Sequence, residues 1–101
     1  MSQPGTDDKT LTQTKVERPR LYKVLLFNDD YTPREFVIMI LKAEFRLSED
    51  QAMRVMMTAH RKGVCVVSVY PRDVAETKAA RATEAAARYG FPLKLVAEPE
   101  E

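Results

Sequence analysis

The sequence predicts an α+β domain: a small three-stranded sheet with three helices packed on one of its faces. Three observations carry this. Strand-like and helix-like segments follow one another in the order β-α-α-β-α-β after residue 20. Two of the helices open on cap signals, Thr32-Pro33-x-Glu35 and Ser48-x-x-Gln51. Three strands are too few for a sheet wound with helices on both sides, so the helices share a face. The 101 residues fit one domain, and 45% apolar content is enough for a modest core.

Residues 1–20 hold only Met1, Leu11 and Val16 as strongly apolar positions. Such a segment cannot offset its ordering entropy by burial, and it is predicted to be a flexible, disordered extension preceding a core at 21–98. The first strand is LYKVLLFN, residues 21–28. Leu21, Lys23, Leu25 and Phe27 take one face and Tyr22, Val24, Leu26 and Asn28 the other, so apolar residues on both faces predict a well-buried strand. In TPREFVIMILKAEF, Thr32 is the expected N-cap, with Pro33 at N1 and Glu35 at N3. Phe36 and Ile40 mark one stripe of that helix and Val37, Leu41 and Phe45 another, which gives it two surfaces to pack against.

The second helix runs from Ser48 to a stop at Gly63. Met53, Met56, Met57 and His60 recur at i, i+3, i+4 and i+7, so they share one face. VCVVSVY is rich in β-branched residues and reads as the second strand. Pro71 and Asp73 open an Ala-rich third helix closed by Gly90. FPLKLVAE is the last strand, with Leu93, Leu95 and Ala97 on one face and Pro92 near its start.

Several function classes are disfavoured. A net charge of +1 gives no global steering toward nucleic acid. The longest apolar runs are about six residues, far below the roughly 20 a membrane helix needs, and no secretory leader is legible. Cys65 is alone, so no internal disulfide forms and a cytoplasmic setting is expected. There is no nucleophile elbow, no phosphate loop and no C-x-x-C, and a single histidine; no enzyme activity and no cofactor are expected. Asp29, Asp30 and His60 lack metal-ligand spacing.

The constellation with chemical content is Asn28, Asp30 and His60 beside the methionine face. An amide oxygen, a carboxylate and a neutral imidazole are all acceptors, and acceptors beside an apolar hollow suit an ammonium that carries a large side chain. From the residues alone, a simple turn, a helix-end histidine and a core methionine stripe remain open alternatives.

Three segments, LYKVLLFNDDYTPREFVIMIL, MRVMMTAHRKG and VYPRDVAETK, together closely resemble the ClpS family over about residues 20–98. The resemblance implies three helices on a three-stranded antiparallel sheet. It implies a monomeric adaptor that binds free N-terminal Leu, Phe, Tyr or Trp and delivers such N-degron substrates to the ATP-dependent protease ClpAP. Asn28 and His60 would bind the α-amine, with Asp30 assisting. Leu26, Phe27, Thr32, Val37, Met56, Ala59 and Leu93 would surround the side-chain pocket. Asp73, Glu76 and Lys78 would dock to the N-terminal domain of the ClpA unfoldase, and residues 1–20 would be the arm it engages. Two positions depart from the family pattern: Arg34, where the family has Met in the pocket wall, and Ala59, where it has Val. They imply altered selectivity, as in a divergent second paralogue. The alternative is a small nucleic-acid-binding α+β module using Arg18, Arg20 and Lys23, which the near-zero net charge opposes.

Overall fold

A computed structural model describes residues 18–101. The expected disordered extension falls mostly on residues 1–17, outside the described residues. The elements are β1 (Leu21–Phe27), α1 (Arg34–Phe45), α2 (Glu49–Lys62), β2 (Val64–Pro71), α3 (Arg72–Arg88) and β3 (Lys94–Pro99). The order and the α+β class are those the sequence predicts. The sheet runs β2-β1-β3, with β1 antiparallel to both neighbours. The β1–β2 register shifts between Val24 and Leu25, where Val67 is the extra residue of a bulge.

The helices cover one face of this sheet. α3 packs across all three strands, α2 packs on β2 and β1, and α1 lies against α2 and α3. Ala75, Ala79, Ala82 and Ala86 form the buried stripe of α3, and their small side chains let its backbone approach the strands closely. The two stripes of α1 meet the expectation: Val37, Ile40, Leu41 and Phe45 are buried, with Phe36 half-buried.

β1 is buried on one face rather than two. Val24 and Leu26 are 0% and 2% exposed, but Leu21 on the other face is 45% exposed. The strand is central in the hydrogen-bond ladder, yet all the helices sit on one side, so apolar residues on the second face meet solvent.

The caps divide. Ser48 and Gln51 form the full capping box, and Gly63 closes α2 at φ 91°, a conformation that side chains avoid. Gly90 closes α3 differently from a simple stop: the amides of Gly90 and Phe91 bond back to Ala87 and Ala86, a Schellman pattern. The box expected at Thr32 and Glu35 does not form. Pro33 is the N-cap of α1, without a side-chain cap, because the Thr32 hydroxyl is bound elsewhere.

Two pairs of contacts fix the approach to β3, which begins at Lys94 rather than Phe91. The Thr83 hydroxyl accepts from the Leu95 amide at 3.1 Å and donates to its carbonyl at 3.2 Å. Phe36 meets Phe91 and Tyr89 edge-on, with ring centroids 5.0 and 5.4 Å apart. Together these hold the segment carrying Leu93 against the start of α1.

Candidate functional site

Where β1 ends, its last residues, the following loop and the end of α2 converge. The Asn28 amide donates to the Gly63 carbonyl at 3.0 Å, which ties the loop after β1 to the stop of α2. The loop is organised by Asp29. Its Oδ1 accepts from the backbone amides of Tyr31 and Thr32, both at 2.8 Å. The Thr32 hydroxyl donates to the same carboxylate, 2.9 Å from Oδ2. This Asx-type turn satisfies Thr32, which is only 9% exposed, and frees its neighbours Asn28 and Asp30 from that task.

These elements enclose a cavity of about 150 Å³. It is lined by Leu26, Phe27 and Asn28 of β1 and its end, by Asp29, Asp30 and Thr32 of the loop, and by Arg34 and Val37 of α1. Met56, Met57, Ala59 and His60 of α2 and Leu93 before β3 complete the wall. All eleven residues the sequence singled out for amine and side-chain binding line this one cavity. Leu26, Val37, Met56, Ala59 and Leu93 are buried, whereas Asn28, Asp30 and His60 are exposed. The site is an apolar hollow with a polar rim. A cavity of that size holds a benzene ring.

The methionine stripe needs correction. The buried line of α2 is Ala52, Met56 and Ala59, so Met53 lies off it, 42% exposed and outside the cavity. His60 likewise stands at the rim rather than on the buried stripe. Among the described residues, no side-chain hydrogen bond engages Asn28, Asp30 or His60, which leaves three acceptor groups facing the hollow's mouth. No group of three His, Cys, Asp or Glu side chains suited to a metal ion occurs among the described residues.

Sequence reasoning missed Asp29 as the loop's organiser and Met57 as a wall residue. The signal for Asp29 was available: an Asp two and three residues before amides that precede a helix is a recurring turn pattern. Cys65 lies outside the cavity. Burial pushes its thiol up, against the opposing effects of Lys62 and a Thr58 hydrogen bond, so it is no activated nucleophile.

The predicted docking residues stand apart from the cavity. β1 and β2 run antiparallel with Phe27 opposite Val64 and Leu21 opposite Pro71, so α3 begins at the far end of the sheet. Asp73 and Glu76 are exposed there. Neither caps α3: its N-cap is Pro71, and Glu76 pairs with Arg72 at 3.2 Å. Lys78 is half-buried, donating to the Glu44 carbonyl at 2.8 Å and lying 5.7 Å from the Tyr70 ring centroid. Arg18 and Arg20 are exposed, and neither they nor Lys23 line the cavity.

The family model described as the ATP-dependent Clp protease adaptor protein ClpS matches residues 17–96. This chain belongs to the ClpS family. It is similar to the ATP-dependent Clp protease adapter protein ClpS 1 of Bradyrhizobium diazoefficiens, with 65% identity over the full length of both chains. It is 59% identical, again over both full lengths, to ClpS 2 of Mesorhizobium japonicum. A solved structure of Agrobacterium tumefaciens ClpS2 bound to L-phenylalaninamide matches with a TM-score of 0.80 and 64% identity, covering 82% of this chain and all of that one. ClpS proteins are adaptors of the Clp protease and not enzymes. No helix among the described residues is long and apolar enough to cross a membrane.

Proposed function

We propose that this ClpS protein captures the free N-terminal residue of substrates that begin with Leu, Phe, Tyr or Trp and delivers them to ClpAP in the cytoplasm. The observation that carries the reading is one cavity, roomy enough for an aromatic ring, with an apolar floor and with three acceptors on its rim that no side-chain hydrogen bond engages among the described residues. Asn28 and His60 accept from the α-ammonium directly and Asp30 supports its charge. Leu26, Phe27, Thr32, Arg34, Val37, Met56, Ala59 and Leu93 hold the first side chain. An ammonium hydrogen bond contributes about 1.5–3 kcal/mol and a buried Leu or Phe side chain about the same. Neither half suffices, so internal leucines and polar N-termini are both rejected. The phenylalaninamide bound to the Agrobacterium relative, an aromatic side chain beside a free amine, supports this substrate class.

Delivery is assigned to the far end of the sheet, where Asp73 and Glu76 are presented to the N-terminal domain of ClpA. Lys78 contributes there by anchoring α3 to the end of α1 as much as by contact. The test is ClpAP degradation of a reporter that begins with Phe. The adaptor is expected to accelerate it, and a double Asp73→Lys, Glu76→Lys variant to lose the acceleration while binding a Phe-initiated peptide as tightly as before. Undiminished delivery by that variant would move the docking surface elsewhere.

Arg34 and Ala59 set the selectivity. An Arg stem can cover the first side chain only with its charged head outside the hollow, whereas a methionine can enter it and reduce its volume. Arg34→Met is therefore expected to favour Leu-initiated over Trp-initiated peptides by about fourfold, roughly the worth of one buried methylene. Equal shifts for both peptides in an anisotropy titration would show that Arg34 does not set the selectivity.

A further inference from the structure

Among the described residues, Arg34 is the one Lys or Arg side chain that lines the cavity. It is the first residue of α1, three positions before Val37 and so on the same helix face one turn nearer the mouth. Val37 is 7% exposed in the floor, while Arg34 is exposed at the rim. A guanidinium keeps its charge at any physiological pH, and an unpaired charge inside an apolar hollow is costly, so the head group stays at the mouth.

Arg34 forms no ion pair among the described residues. Among the described residues, none of the acids near it in the chain pairs with it. The Asp29 carboxylate is taken by the loop amides and the Thr32 hydroxyl. Asp30 belongs to the amine site. Glu35, next in sequence, lines a separate groove with Ile38, Met39 and Lys42 on another side of α1. The cation at the mouth thus has its fork of donors available to whatever passes it.

We propose that Arg34 forms a subsite for the second residue of the bound peptide and selects an acidic side chain there. The inference rests on the amine-capture reading. With the α-amine on the Asn28, Asp30 and His60 rim and the first side chain in the hollow, the peptide leaves through the mouth, and its second side chain passes the guanidinium. A carboxylate is the group that a planar fork of N–H donors binds best, in a bidentate pair. Lysine or arginine at that position meets like charge instead. The ammonium offsets Asp30, so the loop's acids do not cancel the preference.

The test uses three peptides with free N-termini, identical except for Asp, Ala or Lys after an initial Phe, titrated by fluorescence anisotropy. The Phe-Asp peptide is expected to bind about three- to fivefold more tightly than Phe-Lys, the range of a partly exposed ion pair. The gap should shrink in about 0.5 M salt, where exposed charges are screened. Arg34→Gln should close it and Arg34→Glu invert it, with thermal melts showing that both variants fold. A gap of unchanged size in Arg34→Gln, or none in the unmodified protein, overturns the subsite while leaving amine capture standing. If none of the three peptides binds the folded protein, amine capture fails and the subsite fails with it.

Discussion

Acetylating the α-amine of a Phe-initiated peptide is expected to lower its affinity by at least about a hundredfold. An ammonium offers three donors and a full charge; an acetylated amine offers one donor and none. Two charge-assisted hydrogen bonds are lost, at about 1.5–3 kcal/mol each, which spans roughly two to four orders of magnitude. The acetyl group also sets an apolar methyl and a carbonyl oxygen beside the Asp30 carboxylate, an acceptor with nothing to donate to it. Replacing the initial Phe with Ala removes the other half of the site and is expected to cost about half as much through lost burial, about 1.5–3 kcal/mol. Fluorescence anisotropy with the free, acetylated and Ala-initiated peptides measures the two halves separately. An acetylated peptide that binds within threefold of the free one would rule out amine capture, whatever the pocket does.

Much of this site can be read from spacing because its parts are short-range. Asn28, Asp30 and Thr32 lie within one turn of chain, and Met56, Ala59 and His60 within one turn and a half of α2. Bringing the two groups together needs only the antiparallel pairing that sets Phe27 opposite Val64. What eluded the sequence was competition and tertiary reach. Thr32 and Glu35 match a capping box, but Asp29 is also three residues from Thr32 and offers a stronger, charged acceptor for its hydroxyl. The methionine stripe has a true helical period, yet Ala52 and Ala59 allow closer approach than Met53, so the buried line falls one position away. Hydropathy marks both faces of β1 as apolar and cannot say which one the helices take. Lys78 looks like a free surface cation until its partner appears, the Glu44 carbonyl 34 residues earlier in the chain.

The second large effect concerns Asp29, which touches the cavity but whose oxygens are spent on the loop. Asp29→Ala removes the acceptor for two amides and leaves the Thr32 hydroxyl, buried at 9% exposure, without its partner. Leaving a buried polar group unsatisfied costs about 1–3 kcal/mol, and the lost turn bonds add to it. A drop in Tm of about 10 °C is expected for a domain of this size. Peptide affinity should fall about tenfold or more, because Asn28 and Asp30 flank the residue that holds the loop in shape. Asp29→Asn keeps an oxygen for both amides and can reverse the bond to the Thr32 hydroxyl, so it is expected to retain most of the stability and binding. Asp30→Ala is the contrasting variant: with no hydrogen bond to lose among the described residues, it should weaken binding and leave Tm nearly unchanged. Thermal melts beside anisotropy titrations separate the two carboxylates. If Asp29→Ala lost affinity at full thermal stability, Asp29 would be a direct ligand of the ammonium, and the division of labour between the adjacent acids would have to be reversed.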